Sequence, residues 1–333
     1  MARNSMLRNS LPGLGLVAAS MIPAVVSSIP SGGAPPRPPA ARRQAPPKEF
    51  SIPVGNLNAW ANAVVVTLDG VTVDGNGPVH DVASDCEIHF GAHTPSFQGD
   101  PDGLVLEPMN ACIEPFPGKT EPNRQDWIAF ARQIRGLTVT ASGVPRIWPE
   151  HLTGGGGPSN PNHAVELHPL TSLVSAGQTF DFAANVFAPE GLDGIQEQTA
   201  LNIIGQTTVT VTRNGDSADV SFSAGRIGNF AVLDIVIDRS SIASDGAGSF
   251  RMNGEVAVDD STAVPVRIVT VRGSPINGDM PRIRSRRRAK VPITGLVLFS
   301  LSPESLRDAV SQSNGNEAAV VRPIQLILYG EAE

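Results

Sequence analysis

All six histidines of this chain, His80, His89, His93, His151, His163 and His168, fall between residues 80 and 168. Two of them sit beside acids at strand spacing. Asp85-Cys86-Glu87-Ile88-His89-Phe90 alternates, so Asp85, Glu87 and His89 share one face of an extended segment, and Cys86, Ile88 and Phe90 share the other. His163–Leu170 (HAVELHPL) repeats the device, with Ala164, Glu166 and His168 on one face against Val165 and Leu167. Imidazoles and carboxylates within a few ångströms of one another are the usual donors for Zn²⁺ or another divalent ion. In a metal-dependent hydrolase, His89, His168 and Glu166 or His151 would hold the ion, and Glu87 or Asp85 would activate a water. Two other roles fit the same residues: a buried, mutually satisfied polar network, and a solvated sheet face of cross-strand His–Glu pairs.

These residues must be positioned by strands. Ala61–Val73 is rich in Val and Thr and reads as a strand broken near Asp69-Gly70; residues 85–90 form a second and 103–107 a third. A helix follows, capped by Asn123, with Trp127, Phe130, Ala131 and Ile134 on one stripe and Gly136 closing it. Residues 137–143 and 163–170 complete a β-β-β-α-β-β order, that of an OB-like five-stranded barrel with one helix. In that topology the third strand lies between the second and the fifth. Asp85, Glu87, His89, Glu107, Glu166 and His168 would then project from one ligand-binding surface. Cys86 and Cys112, the only cysteines, lie on or just past neighbouring strands, and a disulfide between them is expected, reduced core thiols being the alternative. A Cys86–His nucleophile pair is disfavoured because alternation puts Cys86 on the opposite face.

In order and spacing, Asp85-Cys86-Glu87-Ile88-His89, Leu106-Glu107-Pro108, Cys112, Ser142-Gly143-Val144, His151, Pro161-Asn162 and Glu166-Leu167-His168-Pro169 resemble the pattern of a family of exported bacterial proteins without an assigned activity. That pattern is a D-x-[DE]-x-H strand, an E-x-P segment with a following Cys, a Gly-to-His stretch, and a closing P-N and E-L-H-P. The resemblance covers roughly residues 60–175 and implies the same domain boundaries. The family's second Asp is Glu87 here, an Asp before His151 is replaced by Trp148, and Gly154–Gly157 is all glycine.

The remainder of the chain frames this domain. Arg3 and Arg8 precede the apolar stretch Leu11–Val26 and small residues at Val26-Ser27-Ser28, the pattern of a signal peptide over 1–29 and hence of an exported protein. Residues 30–49 are a Pro-rich linker, 50–176 the OB-like domain and 177–333 a β-sandwich domain of alternating strands with an Asn214-Gly215 hairpin, so the fold class is all-β. Within 153–161 (TGGGGPSNP) a flexible loop lies beside the proposed face. Residues 50–176 hold 13 acidic and 5 basic residues, which counts against nucleic acid as a partner and suits cations, neutral ligands or basic surfaces. The run Arg282–Lys290, six cations in nine positions, reads as a solvated loop that could meet an acidic surface polymer. The leading expectation is an exported binding protein for a divalent cation, zinc being one candidate, or a small neutral ligand. The alternatives are the hydrolase and a structural or adhesive protein; composition does not fix the oligomeric state.

Overall fold

The computed structural model describes residues 46–192 and 194–331. The expected signal peptide and most of the expected linker lie outside the described residues. The last two linker positions are already strand, because Lys48 and Glu49 open β1 (Lys48–Pro53), which leads into α1 (Val54–Trp60) with Leu57 and Trp60 buried.

Five strands then close a barrel: β2 (Val66–Val79), β3 (Ile88–His93), β4 (Gly103–Leu106), β5 (Thr138–Ile147) and β6 (His163–Ser175). Their order is β4-β3-β2-β5-β6, all antiparallel until β4 pairs in parallel with β6 and closes the ring. This is the expected OB-like arrangement, with α2 (Arg124–Ile134) between its third and fourth strands. The local signals behave as expected there. The Asn123 side chain accepts from Gln125 N, Trp127, Phe130, Ala131 and Ile134 are buried, and Gly136 takes φ +76° just beyond the last turn. Trp127 and Phe130 join Phe116, Phe180 and Phe182 in one aromatic cluster.

The second strand begins later than expected. Cys86 adopts φ 61°, which breaks the extended run, so β3 opens at Ile88 and Asp85 and Glu87 stand on the preceding turn. Cys86 is disulfide-bonded to Cys112, which lies past β4, as expected. The glycine loop is seated on the barrel. A Cβ at Gly91 would lie 2.1 Å from Pro158 O, and one at Gly103 would lie 2.2 Å from Asn162 O, so the loop depends on bare backbone beneath it.

The barrel is followed by β7 (Gln178–Asp181), which extends β6 as a hairpin, and by α3 (Glu197–Gln206). The expected domain boundary at 176/177 falls in the turn of that hairpin, where Ala176 and Gly177 take φ 51° and 78°. Next come β8 (Thr208–Asn214) and β9 (Ser217–Ser223). Their tight turn is Gly215-Asp216, one residue later than the Asn-Gly pair suggested, with Gly215 at φ 60°.

The rest of the chain forms β10 (Phe230–Asp238), β11 (Ala243–Ser244), β12 (Phe250–Ala257), β13 (Ala263–Thr270), α4 (Pro275–Ser285), β14 (Lys290–Leu301), α5 (Pro303–Ser313), β15 (Ala318–Ala319) and β16 (Ile324–Glu331). Most strands and α5, capped by Ser302, lie where turn spacing and capping residues put them; α1, α3 and α4 were not foreseen. The sequence-level expectation of a sandwich resolves into two parts. One is a four-stranded sheet, β1-β9-β8-β15. The other is a second closed barrel, β10-β14-β16-β13-β12, sealed by β10–β12 pairing. Its connectivity repeats that of the first barrel: the first strand neighbours the second and fourth, the third and fifth pair in parallel, and a helix follows the third.

The two halves belong to one compact unit. β1 pairs with β9 across the chain, and an apolar cluster joins Val64, Met109, Val144 and Val186 to Phe230, Val269, Leu298, Ile327 and Tyr329. The basic run is only partly a loop: Arg282–Ser285 end α4 with Ile283 buried, and Lys290 opens β14, 2.7 Å from Glu255. Among the described residues no helix is long and apolar enough to cross a membrane.

Candidate metal centre

The outer face of β4 and β6 packs against the second barrel, which rules out the solvated alternative for its central residues. Glu87, Glu166 and His168 are each 2% exposed and Glu107 is 5%. His168, on β6, is the hub. Its Nε2 lies 2.9 Å from Glu87 Oε1, its Nδ1 lies 2.5 Å from Glu107 Oε2, and Glu166 Oε2 is 3.6 Å from Nδ1. These approaches are close but badly aimed. Both ring nitrogens and Glu87 Oε1 are buried without a correctly directed hydrogen bond.

Glu107, just past β4, faces two ways. Its second oxygen, Oε1, lies 3.3 Å from His89 Nε2 on β3. The His89 ring meets His80 edge-on at 4.7 Å between centroids, and His80 Nδ1 lies 2.8 and 3.0 Å from the two oxygens of Asp85. His80 stands immediately beyond β2, and Asp85 also accepts from Glu87 N at 3.2 Å, which fixes the turn that Cys86 creates.

Two sets of side chains present ligand atoms within 4.8 Å of one another: Glu87, Glu107 and His168, fully buried, and His80, Asp85 and His89, half-buried. Both sets line one cavity of about 360 Å³, together with Arg146, Glu150, His151, Ser159 and Asn160.

Glu166, expected as a ligand, is otherwise engaged. Arg146 of β5 forms a buried ion pair with one of its oxygens, and His163 Nε2 lies 3.0 Å from the other. The same guanidinium reaches the second half, donating to Phe299 O at 2.9 Å and to Asn229 Oδ1 at 2.6 Å, while Ile147 N donates to Ser300 Oγ at 3.0 Å. His163 has acceptors on both sides, Pro161 O at 2.7 Å and Glu166, so it is held as a cation. His151, also expected as a ligand, stacks on His163 at 5.1 Å and reaches only the cavity rim beside Glu150. His93 lies elsewhere, exposed and paired with Asp74.

Burial and neighbours divide the carboxyl groups. Burial pushes Glu87 up to about 8, against the pull of His168. Burial acts on Glu107 in the same direction, and Glu166 adds to it, yet His89 and His168 hold Glu107 below its ordinary value. Glu166 is driven well below despite burial, chiefly by Arg146 and His163. His168 is raised well above 6.5: burial favours its neutral form, but Glu87, Tyr329 and Glu107 outweigh that. At the outer set, the hydrogen bond that His80 donates to Asp85 raises His80 against burial, and His80 lowers Asp85 against the same opposing effect.

Thus all six residues of the expected face converge, and His89 and His168 meet on opposite oxygens of Glu107. Sequence reasoning gave no role to Arg146, His80 or His163, and none to Asn229 or Tyr329 of the second half. Arg146 had a usable signal, since it stands alone between Pro145 and Ile147 in an otherwise uncharged run. Asn229 and Tyr329 had none, because their roles depend on how the barrels dock. Comparisons with protein-family models, curated proteins and solved structures return no match.

Proposed function

We propose that this is an exported binding protein that holds a divalent cation, such as Zn²⁺, between Glu87, Glu107 and His168. The observation that carries this reading is the inner set itself: three fully buried donors whose ligand atoms lie within 4.8 Å of each other. His168 Nδ1, His168 Nε2 and Glu87 Oε1 lack aligned hydrogen-bond partners, and a polar group left so in a dry site costs about 1–3 kcal/mol. A cation among them would replace misdirected contacts with ligand bonds. One imidazole and two carboxylates suit Zn²⁺ or a similar ion and leave a coordination position free towards the cavity, where water or a small ligand would bind.

The surroundings fit that assignment. Arg146 and His163 neutralise Glu166, leaving the negative charge of Glu87 and Glu107 for the ion. The Cys86–Cys112 disulfide and the signal-like N-terminal sequence support export. The test is elemental analysis of the purified chain after exposure to Zn²⁺ and gel filtration. The wild type is expected to retain zinc and His168→Ala to retain less of it; a wild type that retains none, or a His168→Ala variant that takes up zinc like the wild type, overturns the assignment.

A further inference from the structure

We infer that the cavity holds a second divalent cation, bound by His80, Asp85 and His89 and joined to the first through Glu107. The inference rests on the inner-site assignment and extends it to a two-ion centre. The outer residues come from three places, the end of β2, the turn before β3, and β3 itself, yet their ligand atoms fall within 4.8 Å of one another. Two imidazoles and a carboxylate are again borderline-to-hard donors, the class that takes Zn²⁺ or Mn²⁺.

Glu107 makes the connection. One oxygen faces His168 of the inner set at 2.5 Å and the other faces His89 of the outer set at 3.3 Å. A carboxylate between two sets of nitrogen donors is the usual bridge of paired-metal sites, whose ions lie about 3.5–4 Å apart. The sets also differ in access as such a centre requires. Glu87, Glu107 and His168 are only 2–5% exposed where they line the shared cavity, whereas side chains of His80 and Asp85 are 27% and 21% exposed there. An exogenous ligand would therefore reach the outer ion. Two adjacent cations favour an anionic oxygen ligand, so the ligand class that fits is a small oxyanion such as a carboxylate or phosphate, the Arg146 guanidinium being already committed to Glu166, Phe299 O and Asn229.

The experiment is a zinc stoichiometry on the full chain, stripped with chelator and reloaded with Zn²⁺ alone. Wild type is expected to bind two ions per chain, and His80→Ala/His89→Ala to bind one. Asp85→Asn, which keeps the shape of the turn, should weaken the second ion at least tenfold and leave the first in place. Thermal melts of the variants establish that they are folded. One ion in the wild type, unchanged in the double variant, removes the second site and leaves the inner one standing. No ion in the wild type removes both. Two ions retained by the folded double variant place the second ion elsewhere and equally overturn the inference.

Discussion

The two barrels share one connectivity and touch through their fourth strands, β5 and β14, but their third and fifth strands carry different chemistry. In the first barrel the third and fifth strands, with the residue just past the third, present Glu107, Glu166 and His168. In the second barrel the third and fifth strands present Val269, Ile327 and Tyr329, all buried in the apolar cluster at the junction. A topology therefore fixes where side chains go without fixing what they are, and a site arises here because only one of the two faces carries carboxylates and imidazoles. The apolar partner matters as much as the polar one. By excluding water it forces the carboxylates and imidazoles to satisfy one another, and their pairing is uneven: complete around Glu166, incomplete around His168.

Breaking the complete side of the network should have the largest effect. Arg146→Met leaves Glu166 buried beside one cation fewer and removes the bonds to Phe299 O and Asn229. Loss of one partner from a buried pair costs about 3–5 kcal/mol, which denaturant unfolding would read, and a loss below about 1 kcal/mol would show that Arg146 does not hold the barrels together. The next effect sharpens the contrast in how each barrel is secured. The first has a disulfide closing a 26-residue separation and the second has no cysteine. Replacing both cysteines by serine should cost about 3 kcal/mol, measured the same way. The smallest effect tests the apolar face. Tyr329 OH is buried without a partner, so Tyr329→Phe should change stability by less than about 1 kcal/mol and in the stabilising direction if at all. A clear destabilisation would mean that the phenol belongs to the polar network.

How much of this was legible in the sequence follows from the range of the interactions. Alternation and capping are local, so α2, the hairpin and most strands could be read directly, and the Cys86–Cys112 pair followed from strand adjacency. The six-residue face was legible for the same reason: period-two spacing on residues 85–89 and 166–168 survives any arrangement of the rest. Cys86 misled in one respect, since its positive φ ends the strand that alternation implied, although Asp85 and Glu87 still reach the cavity. The pairing of Glu166 was illegible because its partner Arg146 lies on another strand. Burial of Glu87, Glu107, Glu166 and His168 was illegible, because it depends on a second barrel whose closure needs β10 to find both β12 and β14. The short helix α4 was hidden by its own composition, arginines and an internal Pro281 masking buried Ile276, Met280 and Ile283.

The pH dependence of the metal-free protein has a definite sign. Glu87 and His168 both have raised values, so their protonated forms favour the folded state; this contribution is in place at low pH and is lost as pH rises, for Glu87 through about 8. Glu107, Glu166 and Asp85 are lowered, so their contribution is present above the ordinary carboxylate range and is lost in acid. Metal-free protein should therefore be most stable on the acid side of neutrality, weakening as pH rises towards 8 and again as it falls below the ordinary carboxylate range. A cation competes with the protons on Glu87 and His168, so its benefit should grow with pH.

Thermal unfolding with and without excess Zn²⁺, at pH 6 and pH 8, tests the central claim most directly. Binding at about a hundredfold over Kd stabilises by about 2.7 kcal/mol, or about 5–10 °C in a chain of this size. That rise is expected at pH 8 in the wild type, with a smaller one at pH 6 and a clearly reduced one in His168→Ala, which keeps only the outer donors. Melting curves that superimpose with and without zinc at both pH values would contradict the claim and leave the cluster as a structural network between two barrels.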